Sequence, residues 1–197
     1  MKQIVIATKN VGKINEFNRL LVPYGMEVRS LLDLSYEPDI EETGSTFEEN
    51  ALIKAREIAA KYQVTVLADD SGLEIDALEG RPGVLSARYA GESRSDVANM
   101  DQVLDEMKEV PDDQRQARFV CVLAVVDEKG KELVVRGECE GLILKEKLGT
   151  AGFGYDPIFY LPKLGQTMAQ LSQDQKNSMS HRGHAFKMLE ERMRELL

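Results

Sequence analysis

A chain of 197 residues is long enough for one domain with a substantial core, and its net charge of −9 excludes a basic footprint for nonspecific nucleic-acid binding. No apolar stretch approaches membrane-spanning length, and Met1-Lys2-Gln3-Ile4 opens a strand rather than a secretory signal. An acidic chain that binds a polyanion must therefore place its few cations locally and recruit a metal ion.

Ile4-Val5-Ile6-Ala7 is a short apolar run of buried-strand type, broken by Thr8-Lys9-Asn10-Val11-Gly12. Ile14, Phe17, Leu20 and Leu21 then recur at helical spacing until Pro23 and Gly25 end the helix. Val28 to Leu32 reads as a second strand, followed by the acidic loop Glu37-Pro38-Asp39-Ile40-Glu41-Glu42-Thr43-Gly44. Thr46-Phe47-Glu48-Glu49 matches a capping box in which Thr46 caps and Glu49 reaches back, opening a helix with Phe47, Ala51, Ala55, Ile58 and Tyr62 on one side.

The strand Val64-Thr65-Val66-Leu67-Ala68 ends on Asp69 and Asp70 and runs into Ser71-Gly72, with Leu73, Ile75 and Ala77 alternating beyond and a turn at Pro82-Gly83. Ser95 caps a helix carrying Val97, Met100, Leu104 and Met107 on one face. Phe119 to Val126 and Leu133 to Glu138, joined across Lys129-Gly130, read as a β-hairpin. A glycine-rich loop, Gly149 to Asp156, precedes the strand Ile158-Phe159-Tyr160-Leu161. The last helix puts Ala185, Met188, Leu189, Met193 and Leu196 on its apolar side. Cys121 and Cys139 lie far from any second cysteine at ligand spacing and read as buried thiols of a reducing cytosol. Strands alternating with helices, then a hairpin, give an α/β fold with a mixed twisted sheet flanked by helices.

Several polar segments carry chemistry. Two adjacent carboxylates at a strand end cost several kcal/mol to crowd or bury unless they are paired or bind a metal. Neighbouring strand side chains point to opposite faces, so Asp69 and Asp70 cannot both aim at one centre unless the chain turns, which Ser71-Gly72 permits. Thr8 to Lys13 joins a strand to a helix N-terminus, where amides and the helix dipole suit a phosphate; the alternative is a solvated loop. It is neither a Walker A motif nor a G-x-G-x-x-G turn. Glu41 and Glu42 are either exposed acids that favour the next helix start or ligands for Mg²⁺, which takes one or two protein carboxylates. Gly152-Phe153-Gly154-Tyr155-Asp156-Pro157 is either a tight turn with both aromatics packed inward or a loop on which a flat ring stacks on Phe153. Ser178 or Ser180 caps the last helix, leaving His181 and Arg182 in its first turn, where basic groups oppose the dipole and favour an anionic or carbonyl-bearing partner. His184 reads as a surface or packing histidine.

In their order along the chain, these segments resemble the inosine triphosphate pyrophosphatase family, in its bacterial branch. The matching stretches are Thr8-Lys9-Asn10-Val11-Gly12-Lys13, Glu41-Glu42-Thr43-Gly44 with Thr46-Phe47-Glu48-Glu49-Asn50-Ala51, and Ala68-Asp69-Asp70-Ser71-Gly72. They continue with Gly80-Arg81-Pro82-Gly83 through Ser86-Ala87-Arg88-Tyr89, Phe153-Gly154-Tyr155-Asp156-Pro157 and Ser180-His181-Arg182-Gly183. Lys9 stands where the family varies freely.

The resemblance implies a single domain over residues 1–197, elongated and two-lobed with a central cleft, acting as a cytoplasmic homodimer without stable nucleic-acid or membrane binding. It implies Mg²⁺-dependent hydrolysis of ITP, dITP and XTP to the monophosphate and pyrophosphate, cleansing the nucleotide pool. By the same resemblance Thr8, Lys9, Asn10, Val11, Gly12 and Lys13 hold the triphosphate together with Lys176. Asp70 is the general base and a metal ligand, Glu41 is the second ligand, and Ser71 touches substrate. Phe153, Gly154, Tyr155, Asp156, His181 and Arg182 form the base pocket. Local physics does not separate Glu41 from Glu42; family position favours Glu41. A haloacid-dehalogenase-type phosphatase would need an Asp-x-Asp that Asp69-Asp70-Ser71 lacks, and a non-hydrolysing nucleotide sensor would keep the acidic cluster as structure only.

Overall fold

The computed structural model describes residues 3–34 and 40–193, so the expected acids Glu37 and Asp39 and the apolar Leu196 lie outside the described residues. Among the described residues a seven-stranded sheet runs in the order β2-β1-β3-β4-β5-β6-β7. Its strands are β1 (Gln3–Ile6), β2 (Glu27–Ser30), β3 (Val66–Ile75), β4 (Gln116–Val126), β5 (Glu132–Ile143), β6 (Phe159–Leu161) and β7 (Gln166–Thr167). β1 is parallel to β2 and β3, whereas β6 is antiparallel to β5 and β7, so the sheet is mixed as the element order predicts. The α-helices are α1 (Val11–Leu21), α2 (Phe47–Tyr62), α3 (Asp96–Glu106), α4 (Gln173–Met179) and α5 (His181–Met193). The chain divides into two compact units, one of Met1–Asp70, Cys121–Gly137 and Ala185–Leu197, the other of Ser71–Val120 and Glu138–His184. No helix among the described residues is long and apolar enough to cross a membrane.

The first unit packs Ile4 and Ile6 of β1, Phe17 and Leu21 of α1, Leu67 of β3, Leu123 of β4 and Ala185, Phe186 and Leu189 of α5 into one core. Asn10 caps α1 by accepting from the Lys13 N–H at 3.1 Å, and Thr46 caps α2 by accepting from the Glu49 N–H at 3.1 Å. The Glu49 carboxylate reaches one residue further back than a capping box requires, to the N–H and hydroxyl of Ser45 at 2.7 and 2.9 Å. Two donors on one residue hold one carboxylate oxygen better than a single amide does.

The second unit gathers Leu73 and Ile75 of β3, Met100, Val103 and Met107 of α3 and its C-cap, Phe119 of β4, Ile143 of β5, and Tyr155, Ile158 and Phe159. Ser95 caps α3 as expected. Val97 and Met188, expected on apolar faces, are instead 57% and 44% exposed. At about 100° per residue each sits roughly a sixth of a turn outside its helix's buried stripe, which is Met100, Val103 and the C-cap Met107 in α3 and Ala185, Phe186 and Leu189 in α5. Ala77 is also exposed, because the chain leaves β3 after Ile75 for a short 3₁₀ turn, Asp76–Leu78, that buries Leu78 instead. β3 itself does not stop at the acids: it continues through Asp69, Asp70, Ser71 and Gly72 to Ile75 as one strand.

Arg115, just before β4, is a buried cation that works as a clamp. Its guanidinium donates to the carbonyls of Ile143 and Met107 at 2.7 Å, Leu144 at 3.0 Å and Val110 at 3.1 Å, tying the chain after α3 to the end of β5. Burial pushes its pKa down, and the Asp112 carboxylate pulls against that shift. Replacing Arg115 with Ala removes four hydrogen bonds to backbone carbonyls, so urea unfolding should show a loss of about 3 kcal/mol; an unchanged midpoint would remove the clamp.

Candidate active site

The alternation along β3 distributes the two aspartates. Leu67 faces the core formed with Phe17 and Leu21 of α1, and two residues on, Asp69 points the same way and meets Lys13 of α1 at 2.9 Å. Asp70 points to the other face, where Lys54 of α2 lies 3.5 Å away. Both acids are buried, so each is held by its own lysine.

Lys54 is itself buried, between Asp70 and Glu42, whose carboxylate it reaches at 2.6 Å. Burial works against its ammonium, but Asp70, Glu42 and Asp69 together outweigh that and hold its pKa above the ordinary lysine value. For Asp70, burial dominates and pushes the carboxyl above the ordinary aspartate range. Lys54 opposes the shift, Glu42 adds to it, and Lys13 and a hydrogen bond from Asn50 pull it back. Asn50 also accepts from the Gly44 N–H at 2.8 Å, which draws the segment before α2 against the helix.

Asn50 and Lys54 escaped sequence reasoning. Their four-residue spacing places them on one face of α2, a signal that becomes readable only once Asp70 is known to lie opposite. Of the two glutamates before α2, Glu42 is paired with Lys54, and Glu41 is exposed.

The phosphate-loop candidates follow the end of β1. Thr8 accepts from the Asn10 N–H at 3.2 Å, Asn10 caps α1, and Val11 and Gly12 form its first turn. Among the described residues no cluster of three or more His, Cys, Asp or Glu side chains forms a ready-made metal cage. Hard carboxylate oxygens around Asp70 nevertheless suit Mg²⁺, which needs only one or two of them and completes its shell with water and phosphate.

In the second unit the loop Gly152–Asp156 is fixed at every residue. The Asp156 carboxylate accepts from the Phe153 N–H at 3.3 Å and from Lys176 at 2.5 Å, and both charged groups are buried. Gly152 has φ +87°, and a Cβ there would overlap both Asp156 and Lys176, so glycine is required twice over, for conformation and for space. The Gly154 N–H donates to Asp96 at the start of α3, 2.7 Å away. The Tyr155 hydroxyl donates to the Ser86 carbonyl at 2.7 Å, and burial pushes its pKa up. Ser86 in turn accepts from the Leu73 N–H at 2.9 Å and donates to the Gly83 carbonyl at 2.6 Å. The segment from Gly80 to Tyr89 thus supports the loop from below.

Tyr155 packs inward, whereas Phe153 stays 41% exposed. The inward packing expected of both aromatics in a tight turn therefore holds for Tyr155 and not for Phe153. The Arg182 guanidinium carbon lies 5.8 Å over the Phe153 ring, and its Nη2 is 3.5 Å from the Ser71 hydroxyl. Arg182 is buried because it continues the stripe of Ala185, Phe186 and Leu189 on α5. Ser180 is the cap, accepting from the Gly183 N–H at 3.1 Å, and His181 opens the helix. Lys176, expected to help hold the triphosphate, is paired with Asp156 of this loop. His184 donates from Nδ1 to the Glu138 carbonyl at 2.7 Å, a packing contact. Cys121 and Cys139 are both buried, and burial pushes the Cys139 thiol up to about 11.

The model of the Ham1 family matches residues 4–192. A dITP/XTP pyrophosphatase of Bacillus cereus is 52% identical over 197 residues, with 99% of this chain and 96% of that protein covered. A dITP/XTP pyrophosphatase of Halalkalibacterium halodurans is 54% identical over 190 residues, covering 96% and 98%. The solved Ham1 protein of Staphylococcus aureus superposes with a TM-score of 0.90 at 46% identity over all of both chains. The nucleoside-triphosphatase/dITP/XTP pyrophosphatase of Mycobacterium abscessus does so at 0.80 and 42%, covering 95% and 98%. On a family match that spans nearly the whole sequence, the chain belongs to the Ham1 family.

Proposed function

We propose that the chain hydrolyses non-standard purine nucleoside triphosphates (ITP, dITP and XTP) to the monophosphate and pyrophosphate, keeping them from incorporation into DNA and RNA. The activity named for its relatives supports the reaction class. The observation that carries the chemistry is Asp70, a buried carboxylate raised in pKa by desolvation yet faced by Lys54 at 3.5 Å, with the charge of Lys13 also acting against that rise. A buried carboxylate of this kind is a stronger base toward water than an ordinary aspartate, and it has a lysine beside it for the charge that develops.

The phosphate end of the substrate goes to Thr8, Lys9, Asn10, Val11, Gly12 and Lys13, where α1 supplies amides and dipole. Ser71 contacts substrate next to the base. Asp70 takes the proton of the attacking water, the bond between the α- and β-phosphates breaks, and pyrophosphate carries away the electron pair. Glu41 and Asp70 would hold Mg²⁺, since the Glu42 carboxylate is paired with Lys54 while Glu41 is exposed. When bound, the ion supplies charge neutralisation on the phosphates.

The base end goes to Phe153, Gly154, Tyr155, Asp156, His181 and Arg182, with Lys176 assigned here by its pairing with Asp156. Phe153 offers a face for stacking, and Tyr155 contributes backbone only. Donors from His181 and Arg182 suit the 6-keto group of hypoxanthine and xanthine and confront the amino group of adenine with donor against donor. The reading includes a cytoplasmic homodimer, on the family resemblance alone.

Asp70→Asn should lower kcat for ITP by ~100-fold or more while KM stays within about threefold; near-normal turnover of a folded variant rejects Asp70 as the base. In an assay of pyrophosphate release, kcat/KM for ITP and XTP should exceed that for ATP by roughly 100-fold or more. Comparable values, or phosphate as the first product, overturn the function. Glu41→Gln should raise the Mg²⁺ concentration for half-maximal rate by about tenfold, and Glu42→Gln should chiefly lower the melting temperature by leaving Lys54 underpaired. The opposite pattern moves the metal ligand to Glu42.

A further inference from the structure

We infer that Phe119, a core residue of β4, is a positioning residue for nucleobase selection that acts through His181. The inference rests on the assignment of His181 to the base pocket and adds what sets the direction of its donors.

The two rings stack, with centroids 4.9 Å apart and planes 23° from parallel. Phe119 cannot retreat from this contact. Its ring is buried and lies against Phe159 on another side, centroids 4.2 Å apart and planes at 34°. Phe159 is pinned in turn: its ring crosses β5 at Gly141, where any Cβ would collide with the ring edge. Phe159, Phe119 and His181 thus form a column whose base is a close-packed backbone.

At the other end, the His181 backbone is fixed by the Ser180 cap, with the Gly183 N–H on the Ser180 hydroxyl and the His184 N–H on the Ser180 carbonyl. With the backbone held, the Phe119 face sets the plane in which the imidazole lies. The N–H groups of an imidazole lie in its ring plane, so the face that fixes the plane fixes where a proton is offered. A donor held in one direction meets a keto oxygen and repels an amino group. An imidazole free to turn or to exchange its tautomer adapts to either. Ring stacking of this kind is worth about three- to tenfold in an equilibrium constant.

The test is a double-mutant cycle on Phe119→Leu and His181→Ala, with kcat and KM measured for ITP and ATP and melting followed for each variant. Phe119→Leu should raise KM for ITP about three- to tenfold, leave kcat within about twofold and leave ATP unchanged. It should add nothing once His181 is Ala. A loss of mere core packing would add equally in both backgrounds. If His181→Ala lowers the ITP preference but Phe119→Leu either leaves it intact or acts equally with and without His181, the positioning role is wrong and the pocket stands. If His181→Ala leaves the ITP preference unchanged, the pocket assignment itself fails and takes this role with it. Phe119→Met, which fills the volume without a flat face, replaces the Leu variant should that melt below the assay temperature.

Discussion

Side-chain alternation along one strand is the constraint on which the candidate active site depends. β3 carries two consecutive aspartates into a buried region, and pleating sends them to opposite faces. Each must be neutralised separately, because an unpaired buried carboxylate would cost several kcal/mol. Lys13 answers Asp69 from α1, and Lys54 answers Asp70 from α2. The two roles separate on that basis. Asp69 is an interior anion paired to Lys13 in the first turn of α1. Asp70 stays poised by competing influences, with burial raising its pKa and lysine charge lowering it. Adjacent residues of the same type thereby acquire different chemistry from the sheet alone.

The second unit solves a different problem, that of holding an irregular loop rigid. Gly152 to Asp156 has no strand or helix ladder to satisfy its amides, so side chains supply the partners: Asp156 for Phe153, Asp96 for Gly154. Asp156 is therefore engaged with its own loop and with Lys176, and the exposed Phe153 ring lies under Arg182 from the first turn of α5. Interior aromatics serve the same end, since a buried ring behind a histidine gives it one orientation.

Much of this was legible from the residues. Period-two and period-3.6 patterns located most strands and helices, Thr46 and Ser95 cap as read, and of Ser178 and Ser180 it is Ser180 that caps α5, whereas the Asn10 cap was not read from the residues. Errors fell where a pattern continues past its partner. Val97 and Met188 keep helical spacing but sit outside the buried stripe, and Ser71-Gly72 looked like a turn though β3 runs through it. Glycine there reflects tolerance of close packing in a central strand, since the residue itself is buried.

Periodicity, capping and motif spacing are local properties of a chain, so the elements, the family pattern and the candidate polar residues could be read from the residues alone. Which side chains meet is set by the packed fold. It paired Glu42 rather than Glu41 with Lys54, placed Lys176 against Asp156, and brought Asn50 to Asp70 and Phe119 to His181. Those contacts join residues far apart in the chain, and their geometry follows from strand register and helix rotation, which no local pattern encodes.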